Sequence, residues 1–249
     1  MPAVRRLDAS LDLTLEAATD TASTTRRELF AGRRVAPSIL SADFSRLGAQ
    51  IDEVMAVGAR IIHVDVMDGH FVPPITIGPL IAASISDQVH DAGGVIDVHL
   101  MIDNPDRQIE EFAKAGADCI TFHAEATAHI NRTLNAVREL GCLAGLAINP
   151  GTPIAAVSES VREADVFLCM TVNPGWGGQP FITDSPDKVR RLSKLVGDGT
   201  IEVDGGIDPS TAGSVAAAGA GLFVAGSAVF GADDPTAAYA SIAEAAGAV

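Results

Sequence analysis

The stretch IIHVDVMDG, residues 61–69, decides how the rest of the chain is read. Successive side chains of a strand point to opposite faces. Ile62, Val64 and Val66 therefore share one face, and His63, Asp65 and Met67 share the other. The branched apolar face suits a covering layer of helices. The polar face then looks into an interior, where an imidazole or carboxylate is costly unless paired or metal-bound. VIDVHLM at 95–101 repeats the pattern, with Asp97, His99 and Met101 on one face.

Outward from these two stretches, one unit recurs from Val35 onward. A short β-branched run leads into a loop with Gly, Pro, Asp or Asn, and then into an Ala/Leu/Ile-rich helical stretch. The spacing predicts strands at 35–40, 61–66, 95–101, 118–123, 143–148, 165–172, 200–204 and 221–226. Helices are predicted at 44–57, 105–115, 130–140, 185–196 and 209–218. Gly58, Gly116, Gly141 and Gly219 stand where helix C-termini belong. Asp43, Asn104, Asp184 and Asp208 stand where N-caps belong. Eight βα units over residues 35–249 predict an α/β fold, a single (β/α)8 TIM barrel of near-minimal size. An open doubly wound sheet is the runner-up, but no GxGxxG follows the first strand. In a barrel, functional residues belong at the C-terminal ends of strands and in the loops just after them.

Three strand ends then converge. His63 and Asp65 come from strand 2, His99 from strand 3, and Asp204 from the end of strand 7. Mixed N/O ligation of this kind suits one divalent ion such as Zn, Fe, Mn or Co. Met67, Met101 and Met170 fall on the same faces or nearby, as core filling or as site lining. After strand 6 comes Asn173-Pro174-Gly175-Trp176-Gly177-Gly178-Gln179-Pro180, which reads as a lid whose backbone approaches a ligand closely. Asp204-Gly205-Gly206 follows strand 7, and Gly226-Ser227 follows strand 8. Barrels often bind phosphate there, with glycine amides and a helix N-terminus holding the anion. No basic residue follows Asp204.

The 249 residues carry 32 acidic and 17 basic side chains, a net charge of −15. That excludes polyanionic partners: no nucleic acid, and no anionic membrane surface. No apolar run approaches the ~18 residues of a membrane span. Cys119, Cys142 and Cys169 match no zinc or redox spacing and read as reduced thiols of a cytoplasmic protein. Residues 1–34 differ in composition, with six arginines against five carboxylates, a net charge of +1 that leaves −16 on the rest. They read as a poorly ordered N-terminal extension with a short helix around Arg26–Gly32. A signal peptide lacks its apolar core here, and a transit peptide would be poor in acid. Barrels of this size often associate, but no interface signal is present, so a homo-oligomer stays open.

Taken in order, VAPSILSADF at 35–44, HVDVMDG at 63–69, DVHLM at 97–101, MTVNPGWGGQ at 170–179 and EVDGGI at 202–207 closely resemble the ribulose-phosphate 3-epimerase family. The likeness runs from about Val35 to the last helix and leaves out the tail. Trp176 stands where the family usually has Phe. The resemblance implies that His63, Asp65, His99 and Asp204 bind the metal, and that Asp65 and Asp204 are also the acid/base pair. It implies substrate contacts from Ser38, His99 and Asp204. It implies that Gly175, Trp176, Gly177, Gly178, Gly205, Gly206, Gly226 and Ser227 hold the phosphate end. The implied reaction interconverts D-ribulose 5-phosphate and D-xylulose 5-phosphate, with no organic cofactor. A six-carbon ketose phosphate such as D-allulose 6-phosphate is the nearest alternative, because one hydroxymethylene is a small difference to reject. A non-catalytic phosphate-binding barrel would not need two flanking aspartates. A related decarboxylase would carry Asp-x-Lys where this chain has His63-x-Asp65.

Overall fold

The computed structural model describes residues 26–248. Its strands are β1 (Arg34–Pro37), β2 (Ile61–Met67), β3 (Val95–Met101), β4 (Cys119–His123), β5 (Leu143–Ile148), β6 (Val166–Met170), β7 (Thr200–Asp204) and β8 (Leu222–Ala225). All pair in parallel, in the order β1-β8-β7-β6-β5-β4-β3-β2. A parallel bridge between Ser38 and His63 brings the β1 and β2 edges together. The architecture is the expected (β/α)8 TIM barrel.

The helices are α1 (residues 26–31), α2 (Leu47–Ala56), α3 (Pro79–Asp91), α4 (Ile109–Lys114), α5 (Ile130–Glu139), α6 (Ser185–Val196), α7 (Ala212–Ala218), α8 (Ser227–Phe230) and α9 (Pro235–Ala246). Two predicted helices are divided. The stretch 44–57 becomes a 3-10 turn, Phe44–Arg46, followed by α2, and 105–115 becomes Pro105–Arg107 followed by α4. Between β5 and β6 the cover is a 3-10 helix, Ile154–Ser160. Gly58, Gly116, Gly141 and Gly219 all adopt positive φ after their helices. Of the four expected N-caps, Asp43 accepts from Ser45 N, and Asp208 accepts from Ser210 N and Thr211 N. Asn104 and Asp184 make no side-chain cap bond.

The alternation read from residues 61–69 holds. Ile62, Val64 and Val66 are buried together with Ile51, Val54, Ile85 and Val89 of α2 and α3. The opposite faces stack in layers inside the barrel. The lowest is apolar: Ile61, Val95, Cys119, Leu143, Val166 and Leu222. Above it the interior turns polar, with His63, Asp97, Thr121 and Glu202 fully buried. Gly145 completes this layer because a Cβ there would lie 1.9 Å from Thr121 Oγ1. The third layer contains Asp65, His99, His123 and Asp204 and opens on the C-terminal mouth.

Residues 1–25 of the N-terminal extension lie outside the described residues. The short helix expected around Arg26–Gly32 is present as α1, and residues 26–34 are held against the barrel rather than poorly ordered. Phe30, 2% exposed, packs under the apolar bottom layer. Arg26 Nε lies 2.8 Å from Asp118 Oδ1, and Arg27 Nη1 lies 3.1 Å from Asp165 Oδ1. The reason is the open lower end of the barrel, whose apolar layer needs a cover.

Candidate active site and metal centre

Parallel pairing sets the site. In register, His63 sits opposite Asp97, and Asp65 opposite His99. His63 Nδ1 donates to Asp97 Oδ2 at 2.7 Å, with Glu202 Oε1 at 3.6 Å. His63 Nε2, turned the other way, is buried, makes no hydrogen bond and lies 3.3 Å from Asp65 Oδ1. Asp65 Oδ1 is 3.0 Å from His99 Nδ1, and Asp65 Oδ2 accepts from Ser38 Oγ at 2.6 Å. Asp204 Oδ2 is 3.6 Å from His99 Nδ1.

One donor atom from each of His63, Asp65, His99 and Asp204 lies within 4.8 Å of the others. The residues therefore fit a divalent ion on three counts. The donor set is two imidazole nitrogens and two carboxylate oxygens. The buried Nε2 of His63 is left for something other than a protein donor. Each imidazole is also anchored through its second nitrogen, His63 by Asp97 and His99 by His123, as ligating histidines are.

With no ion bound, the electrostatics are uneven. Burial opposes charge on both imidazoles, but Asp65 and Asp97 raise His63 well above its ordinary value, and Asp204 and Asp65 raise His99. Burial also pushes Asp65 up, yet His63 and His99 outweigh it and hold that carboxyl well below the usual range. Asp204 is raised by burial and by the neighbouring charge of Asp65. Burial and Asp97 push Glu202, behind His63, well above the usual carboxyl range.

Above the cluster lies a cleft of about 650 Å³. Ser38, Asp65, Gly175, Trp176, Gly177, Gly178, Asp204, Gly205, Gly206, Gly226 and Ser227 all line it, so the structure brings these residues together; His63 sits beneath its floor, and so does His99, expected to touch substrate but fully buried and not part of the cleft lining. Met67, Met101 and Met170 line it too, and no Lys or Arg among the described residues does. Gly205 (φ +114) and Gly206 (φ +65) are required by conformation and space alike. A Cβ on Gly206 would lie 2.8 Å from Phe181 N, and one on Gly205 2.3 Å from Val172 Cγ2. In the loop after β6, Gln179 Nε2 donates to Asn173 O at 2.6 Å and to Trp176 O at 2.9 Å, while the Trp176 ring stays exposed.

Sequence reasoning did not single out His123, Glu125 or Glu202. Alternation along CITFH would have placed Thr121 and His123 inside, and alternation along TIEVD would have placed Glu202 beside Asp204. Glu125 carries no local signal. It joins the site through His123 Nδ1, 3.3 Å from its Oε2. Its other oxygen accepts from Asn149 N at 2.8 Å and from the Thr152 hydroxyl. Burial opposes its charge, but these donors outweigh that and hold Glu125 down at about 2. Burial takes His123 down to about 4, so it is neutral near pH 7.

A parallel barrel whose mouth joins buried imidazoles and carboxylates to a glycine-lined cleft is the architecture of a barrel enzyme with acid–base chemistry. The sequence profile of the Ribulose-phosphate 3 epimerase family matches residues 34–230. The chain belongs to that family, and it is an enzyme of the epimerase class. It is 48% identical over 204 residues to the ribulose-phosphate 3-epimerase of Serratia marcescens, covering 80% of this chain and 96% of that one. It is 53% identical over 199 residues to that of Rhodobacter capsulatus (79% and 86%). Against the ribulose-phosphate 3-epimerase of Bacillus subtilis it is 50% identical over 206 residues (81% and 94%). Among solved structures, the 3-hexulose-6-phosphate synthase of Salmonella typhimurium superposes with a TM-score of 0.66 at 18% identity, over 86% of this chain and 98% of that one. At that identity the likeness speaks for the fold alone. No helix among the described residues is long and apolar enough to cross a membrane.

Proposed function

We propose that the chain catalyses metal-dependent 3-epimerisation of a 2-ketose phosphate, interconverting D-ribulose 5-phosphate and D-xylulose 5-phosphate. One observation carries the reading: carboxylates from β2 and β7, Asp65 and Asp204, meet in a single cluster on the floor of a glycine-lined cleft. Inverting C3 requires removing a weakly acidic proton beside a carbonyl and returning one to the opposite face. Two positioned carboxyls on different strands suit that task. In one direction Asp65 takes the proton and Asp204 delivers one; in the reverse direction the roles exchange.

His63, Asp65, His99 and Asp204 would hold the ion. When bound, it supplies Lewis-acid stabilisation of the negative charge that develops on the substrate oxygens. Ser38 donates to Asp65 Oδ2 and so restrains the carboxylate. Gly175, Trp176, Gly177 and Gly178 cover the cleft, and Met67, Met101 and Met170 make its wall apolar, which limits water around a carbanion-like species. Gly205, Gly206, Gly226 and Ser227 offer backbone amides, a hydroxyl and a helix start to the phosphate, so the dianion needs no Lys or Arg. The three cysteines are free and buried, which supports a reducing, cytoplasmic setting.

The test compares five- and six-carbon ketose phosphates before chelation, after it, and after Co²⁺ is restored. Ribulose 5-phosphate is expected to epimerise faster, activity to vanish on chelation, and Co²⁺ to restore it. Full activity in metal-free protein would remove the ion from the reaction. Faster turnover of a six-carbon substrate would reassign the substrate.

A further inference from the structure

We propose that Ser41 is a further substrate-binding residue, whose hydroxyl donates a hydrogen bond to the phosphate where the loop after β6 meets the end of β8. This assignment rests on the phosphate end described above and adds to it a side chain from the segment after β1.

One short turn serves both ends of the cleft. After β1 the chain forms a 3-10 segment, Ile39–Ser41, capped by Ser38, whose Oγ accepts from Leu40 N at 3.3 Å. Ser41 N closes the turn on Ser38 O at 3.5 Å. Residues three apart in such a turn project to the same side, and both serines line the cleft. Ser38 faces the carboxyl cluster, where its hydroxyl donates to Asp65 Oδ2 at 2.6 Å. Ser41 faces the glycines. A Cβ on Gly226 would lie 2.9 Å from Ser41 Oγ, and one on Gly177 would lie 3.4 Å from the same atom. A Cβ on Gly178 would lie 4.0 Å from Ser227 Oγ. Two hydroxyls, from the β1 and β8 ends, therefore face two successive glycines of the loop after β6. The first atom that a side chain at position 226 would meet is the Ser41 hydroxyl.

The chemistry of that hydroxyl suits an anion. A serine hydroxyl carries one hydrogen and rotates to suit its acceptor. The hydroxyls of Ser38 and Ser210, also in the cleft lining, are engaged by Asp65 and Asp208. Ser41 Oγ makes no hydrogen bond among the described residues, so its hydrogen is free for a ligand. With no Lys or Arg among the described residues of the lining, a dianion depends on neutral donors, and bonds to a charged acceptor are the stronger kind.

The test uses full-length, Co²⁺-loaded enzyme at pH 7. Wild type, Ser41→Ala and Ser41→Cys are compared in turnover of ribulose 5-phosphate and in competitive inhibition by D-ribitol 5-phosphate and by phosphate-free ribitol. Ser41→Cys nearly keeps the volume but replaces the hydroxyl with a weak donor. Both variants are expected to raise KM, and Ki for ribitol 5-phosphate, by about tenfold, the contribution of one hydrogen bond to a charged group. Both are expected to keep kcat, and Ki for ribitol, within about twofold. Wild-type values in both variants, or in Ser41→Cys alone, would make Ser41 a spacer between Gly177 and Gly226 and overturn the proposal. A fall in kcat at unchanged KM would place Ser41 outside phosphate binding and overturn it as well. Should wild type bind ribitol as tightly as ribitol 5-phosphate, the phosphate reading itself would fall, and the proposal with it. A wild-type preference for the phosphate that both variants retain in full would overturn the proposal alone.

Discussion

At the residue scale, position outweighs identity. Asp65 and Asp97 are both aspartates on inward faces of neighbouring strands, two residue pairs apart in register. Asp65 reaches the cleft, whereas Asp97 is fully buried and holds His63 Nδ1. Asp65→Asn or Asp204→Asn preserves shape and removes an acid/base group. Each is expected to lower kcat by about 10²–10⁴-fold; a near-wild-type rate in either variant would break the two-carboxyl assignment. Strand alternation made His63, Asp65, Asp97 and His99 legible in the sequence. The same rule covers Thr121, His123 and Glu202, but a lone polar residue in a strand end does not stand out without its cross-strand neighbour. Glu125, Asn149 and Thr152 meet across two loops, and no local pattern carries that contact.

At the element scale, two segments outside the strands shape the account. The loop after β6 is braced by Gln179, which bridges Asn173 O and Trp176 O. Two neutral hydrogen bonds contribute about 1 kcal/mol each. Gln179→Ala is therefore expected to raise KM by up to roughly thirtyfold, with a smaller change in kcat; an unchanged KM would remove Gln179 from substrate enclosure. At the opposite end, α1 covers the barrel bottom with Phe30. Phe30→Ala is expected to cost about 3–5 kcal/mol in urea denaturation, with kcat unaltered; a loss under 1 kcal/mol would reduce α1 to an appendage. The sequence shows α1 as a helix because Arg-Arg-Glu-Leu-Phe-Ala is a plausible helical run. It does not show where that helix packs, since two adjacent apolar residues define no face. The strands at 95–101, 143–148 and 200–204 end where the spacing predicts, because turn residues bracket them. The 35–40 stretch instead ends at Pro37 and turns into a 3-10 segment at Ile39, where Ser38 Oγ accepts from Leu40 N.

At the scale of the whole molecule, a chain of net charge −15 is paired with an anionic substrate under the proposed function. That field disfavours polyanions, whereas in the proposed complex a single phosphate would meet backbone amides rather than the acidic surface. The site couples to stability through its imidazoles. His63 and His99 are raised above 6.5 by the surrounding carboxylates. Their protonated forms therefore stabilise the metal-free fold fully below about pH 6.5, and this contribution is lost as pH rises through the raised values. An ion needs the neutral rings, so proton and metal compete. The gain in Tm on adding Co²⁺ is expected to be larger at pH 8 than at pH 6; an equal gain at both would contradict that competition.

The central claim, proton removal and return at C3 by a metal-dependent carboxyl pair, is tested most directly by solvent exchange. In D₂O, ribulose 5-phosphate incubated with the full-length enzyme should acquire deuterium at C3 while xylulose 5-phosphate forms, and chelation should abolish both. Epimerisation without deuterium at C3, or exchange that continues at full rate in Asp65→Asn and Asp204→Asn, would contradict it.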